Sequence, residues 1–87
     1  MFNNSITYKD AFLHCDGISL ADLAPQVGTP TYVYSQTRIL ENYANINNAF
    51  SSLNAHIHYS AKANNNHHIL KILVEAGAGI DAVSGGE

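Results

Sequence analysis

Apolar residues recur along the chain with two different periods. Ile39, Tyr43, Ile46, Phe50 and Leu53 are separated by alternate steps of four and three, which puts them on one face of a helix of about five turns. Five such positions make a short seam for a coiled coil, so the expectation is a helix lying on a sheet. Ser35 or Thr37 can cap its start. Before it, Thr31-Tyr32-Val33-Tyr34 is a β-branched and aromatic run of strand type. After it, Ala55 to Ala61 alternates enough to predict a second strand. Asn64-Asn65-Asn66 then supplies turn and cap chemistry, and Ile69, Leu70, Ile72, Leu73 and Ala76 form the apolar stripe of another helix. Gly77 stands where a helix C-terminus favours left-handed geometry. Ile80-Asp81-Ala82-Val83 predicts a further strand, and Ser84-Gly85-Gly86-Glu87 the onset of a helix.

Residues 1–30 are patterned differently. Short apolar pieces, Phe12-Leu13, Ile18, Leu20-Ala21 and Leu23-Ala24, are interrupted by Asp16-Gly17 and Pro25, which predicts irregular structure with a strand or a short helical turn. Gly28-Thr29-Pro30 marks a boundary, because the residue before a proline is pushed away from helix. The domain expectation is an N-terminal arm over 1–30 and a second region over 31–87. Alternating strand and helix with short links implies βαβ units on a parallel sheet. Such a sheet needs both faces covered, which the strands from Ala55 onward cannot supply alone. The fold class expected is α/β, the N-terminal part of a β/α (TIM-like) barrel. A whole barrel takes about 250 residues, so roughly a quarter would be present as a fragment.

Composition narrows the function. The 87 residues carry a formal net charge of −3 and only four basic side chains, Lys9, Arg38, Lys62 and Lys71. Phosphate neutralisation needs clustered Lys or Arg, so no nucleic-acid partner is expected. The single cysteine, Cys15, has no intrachain partner, suits a reducing compartment and is expected to be a small filler. The N-terminal residues lack the pattern of a signal peptide, and no apolar run approaches the roughly 20 residues of a membrane span. A cytoplasmic, soluble protein without a membrane partner is the expectation.

Lys62 is the candidate chemical group. It follows the strand ending at Ala61 and precedes the Asn-rich turn, and catalytic groups of β/α barrels sit at the C-terminal ends of strands. A lysine there has a structural reading, its stem covering apolar surface while its ammonium reaches water. It also has a chemical one, an amine held at a pocket to attack a carbonyl. Asp81 would lie within the next strand and Ser84 just after it, so that the loops carrying Lys62 and Ser84 would be neighbours at the same rim. Ser84 and Glu87 have the Ser-x-x-Glu spacing of a capping box. Asn64 is expected to shape the turn. His56, His58, His67 and His68 lack the convergence a zinc site needs, and no metal is expected.

Three segments together carry a resemblance. Gly28-Thr29-Pro30-Thr31-Tyr32-Val33-Tyr34-Ser35, Tyr59-Ser60-Ala61-Lys62-Ala63-Asn64, and Gly77 through Glu87 (GAGIDAVSGGE) resemble, in order and separation, the beginning of the diaminopimelate decarboxylases. These are part of the alanine-racemase-fold, pyridoxal 5′-phosphate-dependent decarboxylase family. The resemblance implies a PLP-binding barrel preceded by an arm that in the family joins a β domain. In the family the lysine of the Tyr-x-x-Lys-x-Asn motif forms the internal aldimine with PLP, a role that falls on Lys62. Asp81 by the same analogy lies near the cofactor. The family commonly carries Ala-Val where Ser60-Ala61 stands, a departure that leaves the nucleophile in place. The implied reaction is decarboxylation of meso-diaminopimelate, a small amino-acid substrate, to L-lysine by a full-length homodimer. The lysine motif is shared with ornithine, arginine and polyamine-related decarboxylases. A non-catalytic PLP-binding protein and an inactive truncated product also remain open. The isolated 87 residues are expected to be inactive, because the phosphate loop, the partner of the pyridine nitrogen and the catalytic cysteine of the family match nothing up to Glu87. Cys15 fits none of those motifs.

Overall fold

The computed structural model describes residues 5–82, so Ser84 and Glu87, with their expected capping box, lie outside the described residues. Contacts gather the chain into two compact units, Met1–Ile39 and Leu40–Glu87.

The first unit opens with an antiparallel meander of β1 (Ile6–Lys9), β2 (Phe12–Cys15) and β3 (Ile18–Ser19). Both connections are two-residue turns. Asp10 and Ala11 have φ of 53° and 68°, and Asp16 and Gly17 have φ of 52° and 84°. Two consecutive positive φ values define the hairpin turn whose twist matches that of its strands, and Asp-Gly is a favoured pair for it. The register follows, Lys9 opposite Phe12 and Cys15 opposite Ile18. Residues 5–30 are thus more regular than the broken apolar pattern predicts, since Asp16-Gly17 joins two strands where it had the look of an interruption.

Helix α1 (Leu20–Val27) packs on β2 and β3 and continues through Pro25. Proline there removes one rung, the bond its N–H would have made to the Ala21 carbonyl, at a cost of about 3 kcal/mol. Gly28, at φ 84°, ends the helix with its N–H donating to the Ala24 carbonyl at 2.8 Å. The expected strand over Thr31–Tyr34 is not formed, and Tyr32 is 89% exposed. Strand propensity specifies a residue that fits a sheet but provides no neighbouring strand for it to join.

Helix α2 (Gln36–Ala49) starts in the first unit and runs into the second. It stops about a turn short of the predicted length. Phe50 still donates to the Ile46 carbonyl at 3.2 Å, but Leu53 lies in the turn beyond. Asn47, Asn48, Ser51, Ser52 and Asn54 crowd this end, and such short polar side chains compete with helical main-chain bonds.

The second unit is a strand-helix-strand arrangement of β4 (His58–Ser60), α3 (His67–Glu75) and β5 (Gly79–Asp81). The strands are parallel, pairing His58 with Gly79, Tyr59 with Ile80 and Ser60 with Asp81. Bonds from Gly79 N–H to the Ile57 carbonyl (2.9 Å) and from Ala61 N–H to the Asp81 carbonyl (3.0 Å) extend the pairing at both ends. Assigned strand thus covers only the centre of the predicted 55–61 run. Ile69 and Leu73 on α3 are buried, as are Ala61 and Ala78. Leu70 and Ile72 are half-buried, whereas Ala76, expected in the stripe, is exposed at the helix end. Gly77, at φ 110°, closes α3, its N–H bonding the Val74 carbonyl and that of Ala78 the Leu73 carbonyl. That reciprocal pair is the Schellman cap which the glycine predicts.

Candidate functional site

Lys62 is carried by the link between β4 and α3, at the C-terminal edge of the parallel pair, and is exposed. Main-chain and side-chain bonds define that link residue by residue. Ala61, with no exposed surface, is held by its N–H to the Asp81 carbonyl. Ala63 N–H donates to the Ser60 carbonyl at 3.1 Å and closes a tight turn with Lys62 inside it. The Tyr59 hydroxyl donates to the Asn64 carbonyl at 2.8 Å and bridges the same turn from the strand side.

The asparagines take over from there. Asn64 Oδ1 accepts from Asn66 N–H at 3.0 Å, and Asn66 Oδ1 accepts from His68 N–H at 2.9 Å as the N-cap of α3. Both bonds follow the habit of asparagine side chains of imitating a backbone turn and satisfying the first helical amides. Asn64 therefore does shape the turn. The whole segment from β4 to α3 is bonded at nearly every step, with Lys62 projecting from it.

Asp81 is exposed at the end of β5 and is register partner of Ser60, two residues before Lys62. The lysine and the carboxylate are thereby brought to the same edge of the sheet by strand pairing. The histidines are dispersed. A Cβ built on Gly79 would lie only 2.5–2.6 Å from ring atoms of His58, while His67 and His68 are exposed at the start of α3. Among the described residues no group of three or more His, Cys, Asp or Glu could hold a metal ion. Cys15 is buried, and burial, reinforced by the negative charge of Asp16, pushes its thiol pKa up. A raised thiol pKa suppresses the thiolate and with it reactivity.

One polar cluster joins Ser35, a cap expected from the sequence, to a partner distant along the chain. Ser35, buried, donates from Oγ to Asp16 Oδ1 at 2.6 Å and accepts from Arg38 N–H at 3.0 Å, while Thr37 N–H donates to Asp16 Oδ2 at 3.3 Å. The start of α2 is thus capped by Ser35 and by a carboxylate 19 residues earlier. The hydrogen bond from Ser35, with those from Thr37 and Gln36, holds the Asp16 carboxyl below its ordinary value. Ser35 was legible as a cap; its partner was not, because the turn that delivers Asp16 is tertiary information.

Comparison with known proteins matches residues 36–87 to the family described as pyridoxal-dependent decarboxylase, pyridoxal binding domain. A diaminopimelate decarboxylase of Aquifex aeolicus is 46% identical over 86 residues, 99% of this chain and 20% of that protein. One of Pseudomonas aeruginosa is 38% identical over 84 residues, 97% of this chain and again 20% of the relative. Among solved structures, AQ1208 of Aquifex aeolicus superposes with a TM-score of 0.88 at 46% identity, covering 97% of this chain and 21% of that one. The diaminopimelate decarboxylase of M. jannaschii in complex with L-lysine superposes equally well, with a TM-score of 0.88 at 37% identity and the same coverage. The chain spans about a fifth of the length of the curated relatives it matches.

Proposed function

Because this chain belongs to the pyridoxal-dependent decarboxylases, we propose that it forms the first part of the cofactor-binding β/α barrel of an enzyme converting meso-diaminopimelate to L-lysine. The observation that carries the reading is Lys62 itself, an exposed primary amine on a hydrogen-bonded turn at the C-terminal edge of two parallel strands, inside the matched region. The substrate follows from the relatives, named diaminopimelate decarboxylases across Aquifex, Pseudomonas and Neisseria.

The donor chemistry of Lys62 fits pyridoxal phosphate. A primary amine open to solvent condenses with an aldehyde, releasing water, and Lys62 would hold the cofactor in this way. When bound, the cofactor provides an electron sink for the pair left on the substrate α-carbon as carbon dioxide departs. The chain's own part would be to hold the amine at a constant position at the sheet edge. Asp81, brought to the same sheet edge by its pairing with Ser60, would lie near the cofactor. In this reading 1–30 is the arm leading to a β domain, 31–87 begins the barrel, and the full-length protein works as a cytoplasmic homodimer. No helix among the described residues is long and apolar enough to cross a membrane.

The test uses the full-length protein. Borohydride reduction with pyridoxal phosphate, followed by peptide mapping, is expected to mark Lys62, with lysine formed from meso-diaminopimelate before reduction and abolished after it. Lys62→Ala should lose the mark and at least about 1000-fold in turnover, the order of loss when a covalent catalytic group is removed. A mark on another lysine, or persistence of the mark in the alanine variant, would remove the assignment.

A further inference from the structure

We propose that Tyr59 is a positioning residue for the Lys62 amine, setting the path of the lysine-bearing turn through its hydroxyl bond to the Asn64 carbonyl. The inference rests on the reading of Lys62 as the cofactor-holding amine. Three main-chain anchors flank Lys62. Ala61 is tied to Asp81 by the last rung of the sheet, and Ala63 to Ser60 by the turn bond. Both are backbone bonds that many sequences could form. The third, at Asn64, is made by a side chain reaching across five residues from the middle of β4, at 2.8 Å.

Tyr59 is well placed to transmit rigidity. It is half-buried, and its main chain is paired with Ile80 at the centre of the parallel ladder. Its phenol therefore couples the exit of the turn to the paired strands of the second unit. Asn64 in turn sets Asn66 and the α3 cap, so the clamp acts on the lysine from the far side of the turn. The phenol is bonded to a carbonyl and not to the amine, which makes it a positioning group. A hydrogen bond of this kind shifts an equilibrium by roughly two- to tenfold.

The experiment compares full-length wild-type protein, freed of cofactor, with Tyr59→Phe, which keeps the ring and removes only the hydroxyl. Hydrogen exchange over residues 61–66 should quicken by roughly two- to tenfold in the variant, with residues 69–75 of α3 and β5 unchanged. The rate at which added pyridoxal phosphate condenses with the protein, followed by absorbance, should fall by a comparable factor. Wild-type exchange and condensation in the variant would overturn the proposal, as would equal loss of protection across α3 and β5, the signature of a merely stabilising tyrosine. Lys62→Ala separates the two readings. Condensation that survives in it defeats the cofactor role and with it the positioning role, whereas loss there together with a wild-type Tyr59→Phe protein defeats the clamp alone.

Discussion

Asp16 illustrates how much one side chain can do for a helix it does not belong to. Its carboxylate accepts the Ser35 hydroxyl and the Thr37 amide at the first turn of α2, where negative charge also meets the positive end of the helix dipole. Because its pKa is lowered on folding, the protection it gives is complete above the ordinary carboxylate value of about 3.9. That protection is lost as pH falls through Asp16's own lower value, where the folded and unfolded forms both become protonated. Amide exchange at Thr37 and Arg38, compared at matched pH with Asp16→Asn, is expected to differ above about pH 4 and to converge on acidification. A difference that persists unchanged into acid would show that charge is not the operative property. Lys62 was legible by contrast, because strand, lysine and asparagine turn are contiguous. Tyr59 stood in the same motif, yet its role depends on where its hydroxyl ends.

At the level of elements, the β4-α3-β5 unit followed from local signals that agree with one another. The asparagine cap, the Ile69 and Leu73 spacing and the glycine at the C-terminal end each independently specify α3. The close approach of the strands adds a constraint that only pairing creates. Gly79 lies opposite His58, and an added Cβ would come within 2.6 Å of the imidazole. His58 is exposed and its ring can turn away, so Gly79→Ala should destabilise the full-length protein by only about 1 kcal/mol, with most of that recovered in the His58→Ala background. Additive effects in a double-mutant cycle, measured by denaturant unfolding, would exclude the contact. The length of α2 and the lack of a strand over Thr31–Tyr34 were not legible from periodicity. An apolar spacing continues across a helix end when the polar residues between its members favour turns, and a strand exists only with its partner.

For the molecule as a whole, the described residues bury few side chains and expose many. Cys15 is the buried apolar side chain of the first unit and Ala61, Ile69, Leu73 and Ala78 are those of the second, and no large side chain among them is completely enclosed. Ile6, Tyr8, Phe12, Tyr32, Ile46 and Leu53 are each at least half exposed. Small chains already bury proportionally less surface than large ones, and this balance leaves the 87 residues with little apolar burial to offset conformational entropy. Prepared alone, the chain is expected to bind a hydrophobic dye such as ANS and to melt over a broad range, the behaviour of a loosely packed state. A sharp cooperative transition without dye binding would contradict this.

What the sequence by itself determined is what lies within about a dozen neighbouring residues: the α3 helix with both caps, the alternation of strand and helix, the lysine at a strand's end, and the family those motifs mark. Hydrogen bonds and apolar periods at that range are written directly in residue order. Only the tertiary structure decided that Asp16 caps a helix 19 residues away, that Asp81 shares an edge with the lysine turn through its pairing with Ser60, and that Thr31–Tyr34 forms no strand. Each of these depends on which distant segment arrives as a partner, and the free energy of that meeting belongs to the pair, not to either segment alone.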